Sequence, residues 1–302
     1  MYCLACGKKV EENKLYHDSC FKRIFDNIDT FNSIKNASSQ LAKQIDSKKT
    51  LTGVQKKISL NYHEKFSIRK TYHERNLNYI IKFPNSYYKD ITIMENLVMN
   101  LGNICKISTV EHALYPINND FLYISKRIDR NNADKIPMED FCQLSNRLTE
   151  DKYKGSYESF INIIDKYSYY IRNDKIELLY RILFCFITGN NDMHLKNFSL
   201  IRNELNTFQL SQAYDLLNSS LLNKNDNEEV ALTINGKKKN LHRKDFLVLA
   251  KHYDISEKIY LKLVLKLSSY KDEMVELINH SLLDELTKNE FVEMINNRLL
   301  II

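Results

Sequence analysis

Three side chains in the second half of the chain carry the oxygen atoms that phosphoryl transfer needs. Asp192 opens Asp-Met-His-Leu-Lys-Asn, Asn197 closes it five residues on, and Asp215 follows in the pair Tyr214-Asp215. Moving a phosphoryl group requires a carboxylate to orient and deprotonate the attacking hydroxyl. It also requires oxygen ligands for Mg²⁺ and a cation beside the phosphates. Asp192 suits the base, Asn197 and Asp215 suit the metal, and Lys196 can offset charge on the transferring group. His194 can steady the loop or face a phosphate. An isolated D-x4-N occurs often by chance, so the order of the groups carries more information than any one of them.

The first half supplies the complementary groups. Lys82 lies in Tyr-Ile-Ile-Lys-Phe, a strand-like run halted by Pro84, where its ammonium can reach nucleotide phosphates. Glu95 falls in the helical segment that follows and can pair with it. The run from Phe121 to Arg130, containing Lys126, Arg127 and Ile128, would end a small lobe and lend hinge groups to an adenine. Protein kinases set their groups in this order: lysine, helix glutamate, hinge, Asp-x4-Asn loop, hairpin, aspartate.

A third constellation stands apart. Cys3, Cys6, His17 and Cys20 offer three thiolates and an imidazole in 18 residues, a set that tetrahedral Zn²⁺ takes. Gly7 directly after the first pair allows the tight turn such a knuckle needs. A segment this small cannot bury a core of its own, so metal binding would supply its folding energy.

The elements that must position these groups read as a β-rich half followed by a helical one. Strand signals occur at Ile58–Leu60, Lys65–Ile68 and Tyr79–Phe83. Two more runs, Thr109–Tyr115 and Phe121–Ile124, are joined across residues 116–120. Ile93, Leu97 and Leu101 share one face of a helix; Ile176–Thr188 is apolar nearly all round and reads as a central helix. A hairpin is expected over Phe198–Leu210, turning at residues 203–206. Met274, Ile278 and Leu282 share a later helix face, and Thr287-x-x-Glu290 reads as a capping box.

Composition narrows the function classes. Only 6 of 302 residues are glycine, spaced so that neither a G-x-G-x-x-G fingerprint nor a P-loop is present. A nucleotide would need another cradle. The net charge of +6 is spread along the chain and is weak evidence for nucleic-acid binding. No run approaches 18 apolar residues and no secretory signal is evident, so a cytoplasmic protein with no membrane contact is expected. Cys105, Cys142 and Cys185 each sit alone among apolar residues and read as buried small hydrophobes.

Taken together the motifs resemble the HipA-like serine/threonine kinases of bacterial toxin–antitoxin systems. The resemblance rests on Gly53-Val54-Gln55-Lys56-Lys57, on residues 79–84, on Lys126-Arg127-Ile128-Asp129-Arg130 and on residues 138–143. Gly189–Leu200 and Tyr214-Asp215-Leu216-Leu217 complete it. It runs from about residue 51 to 254, with weaker similarity beyond. It implies an α+β, two-lobed protein-kinase-like fold of the HipA type, with a β-rich N-lobe and a helical C-lobe. The division expected is a zinc-knuckle-like element at residues 1–27, an N-lobe at 28–130 and a C-lobe at 131–302.

The resemblance further implies use of ATP and Mg²⁺. Lys82 with Glu95 would serve the nucleotide phosphates, Asp192 catalysis, and Asn197 with Asp215 the metal. It implies that the loop holding Gly53, Val54 and Gln55 covers the phosphates and is autophosphorylated as an inactivating switch. Thr50-Leu51-Thr52 stands where short, HipT-like relatives carry Ser-Ile-Ser, so Thr50 or Thr52 would take the phosphate. Lys126 stands where relatives often have an acidic hinge residue. The implied partners are a protein substrate of the translation machinery such as an aminoacyl-tRNA synthetase, and a cognate antitoxin with a helix-turn-helix DNA-binding component. A separate small N-subdomain protein is also implied, and DNA would be met only indirectly. Two other readings compete: a catalytically silent kinase fold acting through antitoxin and DNA, and a zinc-knuckle nucleic-acid binder. The presence of Lys82, Asp192, Asn197 and Asp215 together argues against both.

Overall fold

The structure is a computed structural model that describes residues 1–32, 34, 55, 57–61, 77–131 and 134–302. Gly53, Val54, Thr50, Thr52 and the strand expected at Lys65–Ile68 lie outside the described residues. The chain forms two compact units: residues 1–97 with 110–136, and residues 98–109 with 137–302. No helix among the described residues is long and apolar enough to cross a membrane.

The first unit is built on a four-stranded antiparallel sheet in the order β1-β2-β4-β3, with β1 Lys57–Asn61, β2 Leu77–Lys82, β3 His112–Ile117 and β4 Asp120–Lys126. Because strand side chains alternate, the register separates the two faces. Tyr79 and Ile81 of β2, Ala113 and Tyr115 of β3, and Leu122 and Ile124 of β4 share one buried face. They form a single core with residues of the N-terminal segment, among them Cys3, Tyr16, Cys20, Ile24 and Phe25. That segment includes the short helix α1, Asp18–Phe25. The opposite face carries Lys82, Tyr123 and His112. There, helix α2 (Ile91–Ile104) reaches the sheet through a Thr92 hydroxyl donating to the Phe121 carbonyl at 2.8 Å and an Asn96–His112 hydrogen bond at 3.0 Å.

The β3–β4 hairpin is tighter than the sequence suggests. Pro116 belongs to β3 opposite Phe121, and only Asn118 and Asn119 turn the chain, with Asn118 at φ 52°. Proline is tolerated because β3 is the sheet edge, where a missing N–H breaks no ladder.

In the second unit, β7 Met138–Asp140, β8 Ser199–Arg202 and β9 Phe208–Leu210 form a small antiparallel sheet, and β5 Arg130–Asn131 pairs with β6 Asp134–Lys135 in the first unit. Helices α3 (Phe141–Leu144), α4 (Phe160–Tyr167) and α5 (Ile171–Ile187) follow β7. The central helix α5 is buried as its apolar circumference requires: Leu178, Leu183, Phe184 and Phe186 are fully enclosed. After α6 (Ser219–Leu222) come α7 (Arg243–His252), α8 (Glu257–Ser269), α9 (Lys271–Asn279) and α10 (Glu285–Ile301). Two local expectations fail here. Leu282 lies past the end of α9 and is exposed, unlike Met274 and Ile278. The cap of α10 is Asp284, whose carboxylate accepts from the Thr287 N–H at 3.0 Å, so Thr287 sits inside the helix.

Candidate phosphotransfer site and metal cluster

The segment from Asn190 to Asn197 is irregular and almost wholly buried, so its backbone groups need specific partners. They come from three directions. Tyr157 donates to the Met193 carbonyl at 2.9 Å, and Leu195 N–H donates to the Lys152 carbonyl at 3.2 Å. Asn191 N–H donates to the Ser219 hydroxyl at 2.9 Å, while its amide reaches the Glu228 carbonyl. Asn197 closes the loop on itself: its Nδ2 donates to the Asp192 carbonyl at 3.0 Å. With the amide nitrogen committed there, Oδ1 is the atom left to meet a cation.

Asp215 is tied to the same loop through its neighbour. The half-buried Tyr214 phenol donates to the Lys196 carbonyl at 3.1 Å and meets the Ser199 hydroxyl at 2.6 Å. Asp215 itself holds φ 60°, a left-handed conformation uncommon outside glycine and found disproportionately at functional sites. The carboxylates of Asp192 and Asp215 both act electrostatically on Tyr153 and on His194.

Tyr153 and Asp140 were not assigned roles from the sequence. The Tyr153 phenol donates to Asp192 Oδ1 at 2.5 Å. Its ring meets the His194 ring edge-on at 4.9 Å, and the Lys152 ammonium sits 4.9 Å from its centroid. Partial burial and the Asp192 carboxylate push its phenol well above the ordinary tyrosine value, so it remains a donor at any working pH. Burial has the opposite effect on the His194 ring, which is held below the ordinary histidine value and favours its neutral form. Asp140 caps α3, accepting from Gln143 N–H at 2.8 Å, and its second oxygen pairs with Lys196 at 2.7 Å. Lys196 is thus matched to a carboxylate of β7. No sequence signal ties Tyr153 to Asp192 across 39 positions.

In the first unit, Lys82 ends β2 and its ammonium lies 2.7 Å from Glu95 Oε1 on α2, with both side chains largely buried. It also lies 5.6 Å from the Tyr123 ring centroid. Gln55 donates to the Phe83 carbonyl at 3.1 Å. Of the expected hinge residues, Lys126 pairs with Asp26 at 2.7 Å and Arg127 forks onto Asp129 at 2.8 and 2.5 Å. The N–H groups of Lys126 and Arg127 are engaged by the carbonyls of Glu111 and Asn78, both at 2.8 Å. Ile128 follows them in the chain, just before the β5–β6 pair.

Cys3, Cys6, His17 and Cys20 come together, with one ligand atom from each lying within 4.8 Å of all the others. Gly7, at φ 69°, donates its N–H to the Cys3 carbonyl at 2.9 Å and turns the first cysteine pair.

The chain is similar to several known proteins. The "Putative kinase Y4dM" of Sinorhizobium fredii is 28% identical over 200 residues, which are 61% of this chain and 48% of that protein. A similarly named kinase of Haemophilus influenzae is 27% identical over 158 residues, 47% of this chain and 46% of its own length. The chain therefore spans about half the length of the curated relatives it matches. Among solved structures, HipA of Shewanella oneidensis MR-1, determined with HipB and operator DNA, superposes with a TM-score of 0.68 at 18% identity. It covers 87% of this chain and 69% of its own. The proinflammatory kinase CtkA of Helicobacter pylori superposes at 0.57 and 18% identity, covering 80% and 92%. The fold is accordingly α+β and kinase-like. With the HipA-like C-terminal domain model matching residues 49–287, the chain belongs to that family.

Proposed function

We propose that the chain is an ATP- and Mg²⁺-dependent protein serine/threonine kinase and the toxin of a toxin–antitoxin pair. The observation that carries the reading is the closed loop from Asp192 to Asn197, bound through Tyr214 to the segment after β9 that carries Asp215. A silent fold has no chemical need to preserve that arrangement together with a buried Lys82–Glu95 pair. Bound Mg²⁺ and ATP would supply the phosphoryl group and neutralise its charge. Asn197 Oδ1 and the Asp215 carboxylate are hard oxygen donors of the kind Mg²⁺ takes.

Asp192 orients the acceptor hydroxyl and accepts its proton, while Tyr153 holds its other face through Oδ1. Lys82, steadied by Glu95, serves the nucleotide phosphates; Lys196, anchored by Asp140, and His194 shape the loop around the transferring group. Residues 126–128 serve the adenine, and the loop of Gly53, Val54 and Gln55 covers the phosphates and is modified at Thr50 or Thr52. A protein of the translation machinery, such as an aminoacyl-tRNA synthetase, is the proposed substrate. The solved HipA carries HipB and operator DNA, which supports an antitoxin with a helix-turn-helix DNA-binding component as partner here. A separate small N-subdomain protein and a cytoplasmic location complete the proposal. A structural zinc ion at Cys3, Cys6, His17 and Cys20 belongs to it as well.

Purified protein incubated with labelled ATP, Mg²⁺ and a cell extract tests the reading beside an Asp192→Asn variant. Wild type is expected to label itself or a target, and the variant not. Equal labelling by both would leave the silent, antitoxin-dependent alternative. Phosphopeptide mapping that finds no phosphate on Thr50 or Thr52 in self-labelled protein would remove the loop switch.

A further inference from the structure

The cysteine cluster lies outside the residues that define the family, yet it is not an appendage. We infer that the metal it binds is the fastener that closes the first unit's sheet, covering one apolar face and capping the edge strand β3. The inference rests on the zinc proposal for these four residues and is independent of the phosphotransfer reading.

The ligand chemistry comes first. A tetrahedral zinc with Zn–S near 2.3 Å and Zn–N near 2.0 Å sets its sulfur and nitrogen ligands about 3.5 Å apart. His17 Nδ1 lies 3.4 Å from Cys6 Sγ and 3.9 Å from Cys20 Sγ. His17 Nε2 lies 2.9 Å from the Lys9 carbonyl, which can only accept, so Nε2 carries the proton. In the neutral ring that leaves the Nδ1 lone pair aimed at the thiols, the tautomer a metal ligand needs. Three thiolates and one zinc leave one net negative charge. The Arg23 guanidinium, with Nη2 4.0 Å from Cys20 Sγ, offsets it.

The same residues hold the sheet. β3 is an edge strand, and the edge of a sheet presents unpaired backbone groups. At Leu114 both are taken by the metal-binding element: its N–H donates to the Leu4 carbonyl at 2.8 Å, and its carbonyl accepts from the Tyr16 phenol at 2.6 Å. Leu4 lies between two ligands, and Tyr16 directly precedes a third. Arg23 carries the link on through Glu111 at 2.6 Å, just before β3 begins. On β2, the Tyr79 phenol donates to the Ile24 carbonyl at 2.9 Å. Beneath these bonds Phe25, Phe31 and Tyr16 pack edge-on at 5.1 to 6.3 Å, and Phe31 meets Tyr115 of β3 at 5.1 Å. Lys82 projects from the opposite face, so the metal acts on the first unit through the sheet and not through the lysine.

The test uses the whole chain and needs no kinase assay. Metal analysis of protein purified without chelator is expected to return one zinc per chain. Cobalt substitution should give the thiolate-to-metal charge-transfer bands of a tetrahedral sulfur-rich site. Stripping the metal with a membrane-permeant chelator is then expected to speed amide exchange at Leu114 at least 30-fold. Zinc should restore protection and Mg²⁺ should not, with β8 and β9 unchanged as an internal control. Cys6→Ser and His17→Gln provide the same comparison where chelation is incomplete. Absence of bound zinc overturns the metal assignment. Zinc that can be removed with no change at Leu114 overturns the fastening. Failure of labelled-ATP transfer by the zinc-loaded protein bears on the kinase reading alone.

Discussion

Tyr153 donates its phenolic proton to Asp192 Oδ1, while the same ring stands edge-on against His194 at 4.9 Å. One residue therefore orients the proposed base and walls the loop around it. Tyr153→Phe keeps the ring and removes only the donor. A hydrogen bond to a charged group contributes about 1.5–3 kcal/mol, so kcat should fall about tenfold or more. KM for ATP should stay within about twofold. Steady-state kinetics beside Tyr153→Leu separate the two roles: if the phenylalanine variant keeps the wild-type kcat, the hydroxyl has no positioning role.

Glu95 is the buried partner of Lys82, with side-chain exposures of 2% and 12%. Breaking a buried, hydrogen-bonded ion pair costs about 3–5 kcal/mol. Glu95→Gln should lower stability against denaturant by roughly that amount and raise KM for ATP. Denaturation and kinetics measured on one preparation check both, and unchanged values in both would discount the pair.

His112 gives stability a pH dependence. It is fully enclosed between Asn96, to which Nδ1 donates at 3.0 Å, and Tyr123, stacked at 5.9 Å. Burial, aided by Arg23, pushes it down to about 3. Between that value and the unfolded value near 6.5, the unfolded chain binds a proton that the folded chain does not. Stability is thus fully present above about 6.5 and is lost as pH falls toward 3. Between pH 7 and 5 the loss from this group is on the order of 2 kcal/mol. His112→Gln cannot titrate and should flatten the slope over that interval in urea-unfolding midpoints; an unaltered slope would assign it to other groups.

Gly189 sits at φ 74° where α5 gives way to the Asp192 loop, and a methyl group there would approach Met294 Sδ to 2.5 Å and Asn218 Oδ1 to 2.6 Å. Asn218 is the cap of α6, accepting from Leu221 N–H at 2.9 Å. Gly189→Ala should cost about 2–3 kcal/mol, from the left-handed backbone and the displaced cap together. Because Ser220 N–H also donates to the Gly189 carbonyl at 3.0 Å, phosphotransfer should fall with stability. A variant as stable as wild type would show that Asn218 and Met294 move aside freely.

Much of the architecture was legible because it rests on local pattern. The apolar circumference of residues 176–188, the i, i+4, i+8 spacing of Ile93, Leu97 and Leu101, and the turn residues at 203–206 each fix a neighbourhood in chain order. The kinase-like α+β class was implied by the family resemblance that the motifs carry. The local misreadings share a cause. Pro116 reads as a turn residue until β3 is known to be an edge, and Thr287 reads as a cap until Asp284 is seen three positions before it with a stronger acceptor.

By itself the amino-acid sequence determined which chemistry could be present: oxygen donors in the order Asp192, Asn197, Asp215, a strand lysine followed by a helix glutamate, and a Cys3His set at chelating spacing. Residue type and short spacing suffice for that, since they limit donors, acceptors and charge. Only the tertiary structure decided what those groups lean on. Tyr153 and Asp192 are 39 positions apart, Lys196 and Asp140 are 56, and Leu114 meets Tyr16 across 98. Such contacts are set by how strands and helices stack, and stacking depends on the summed burial of many side chains, none of which announces its partner.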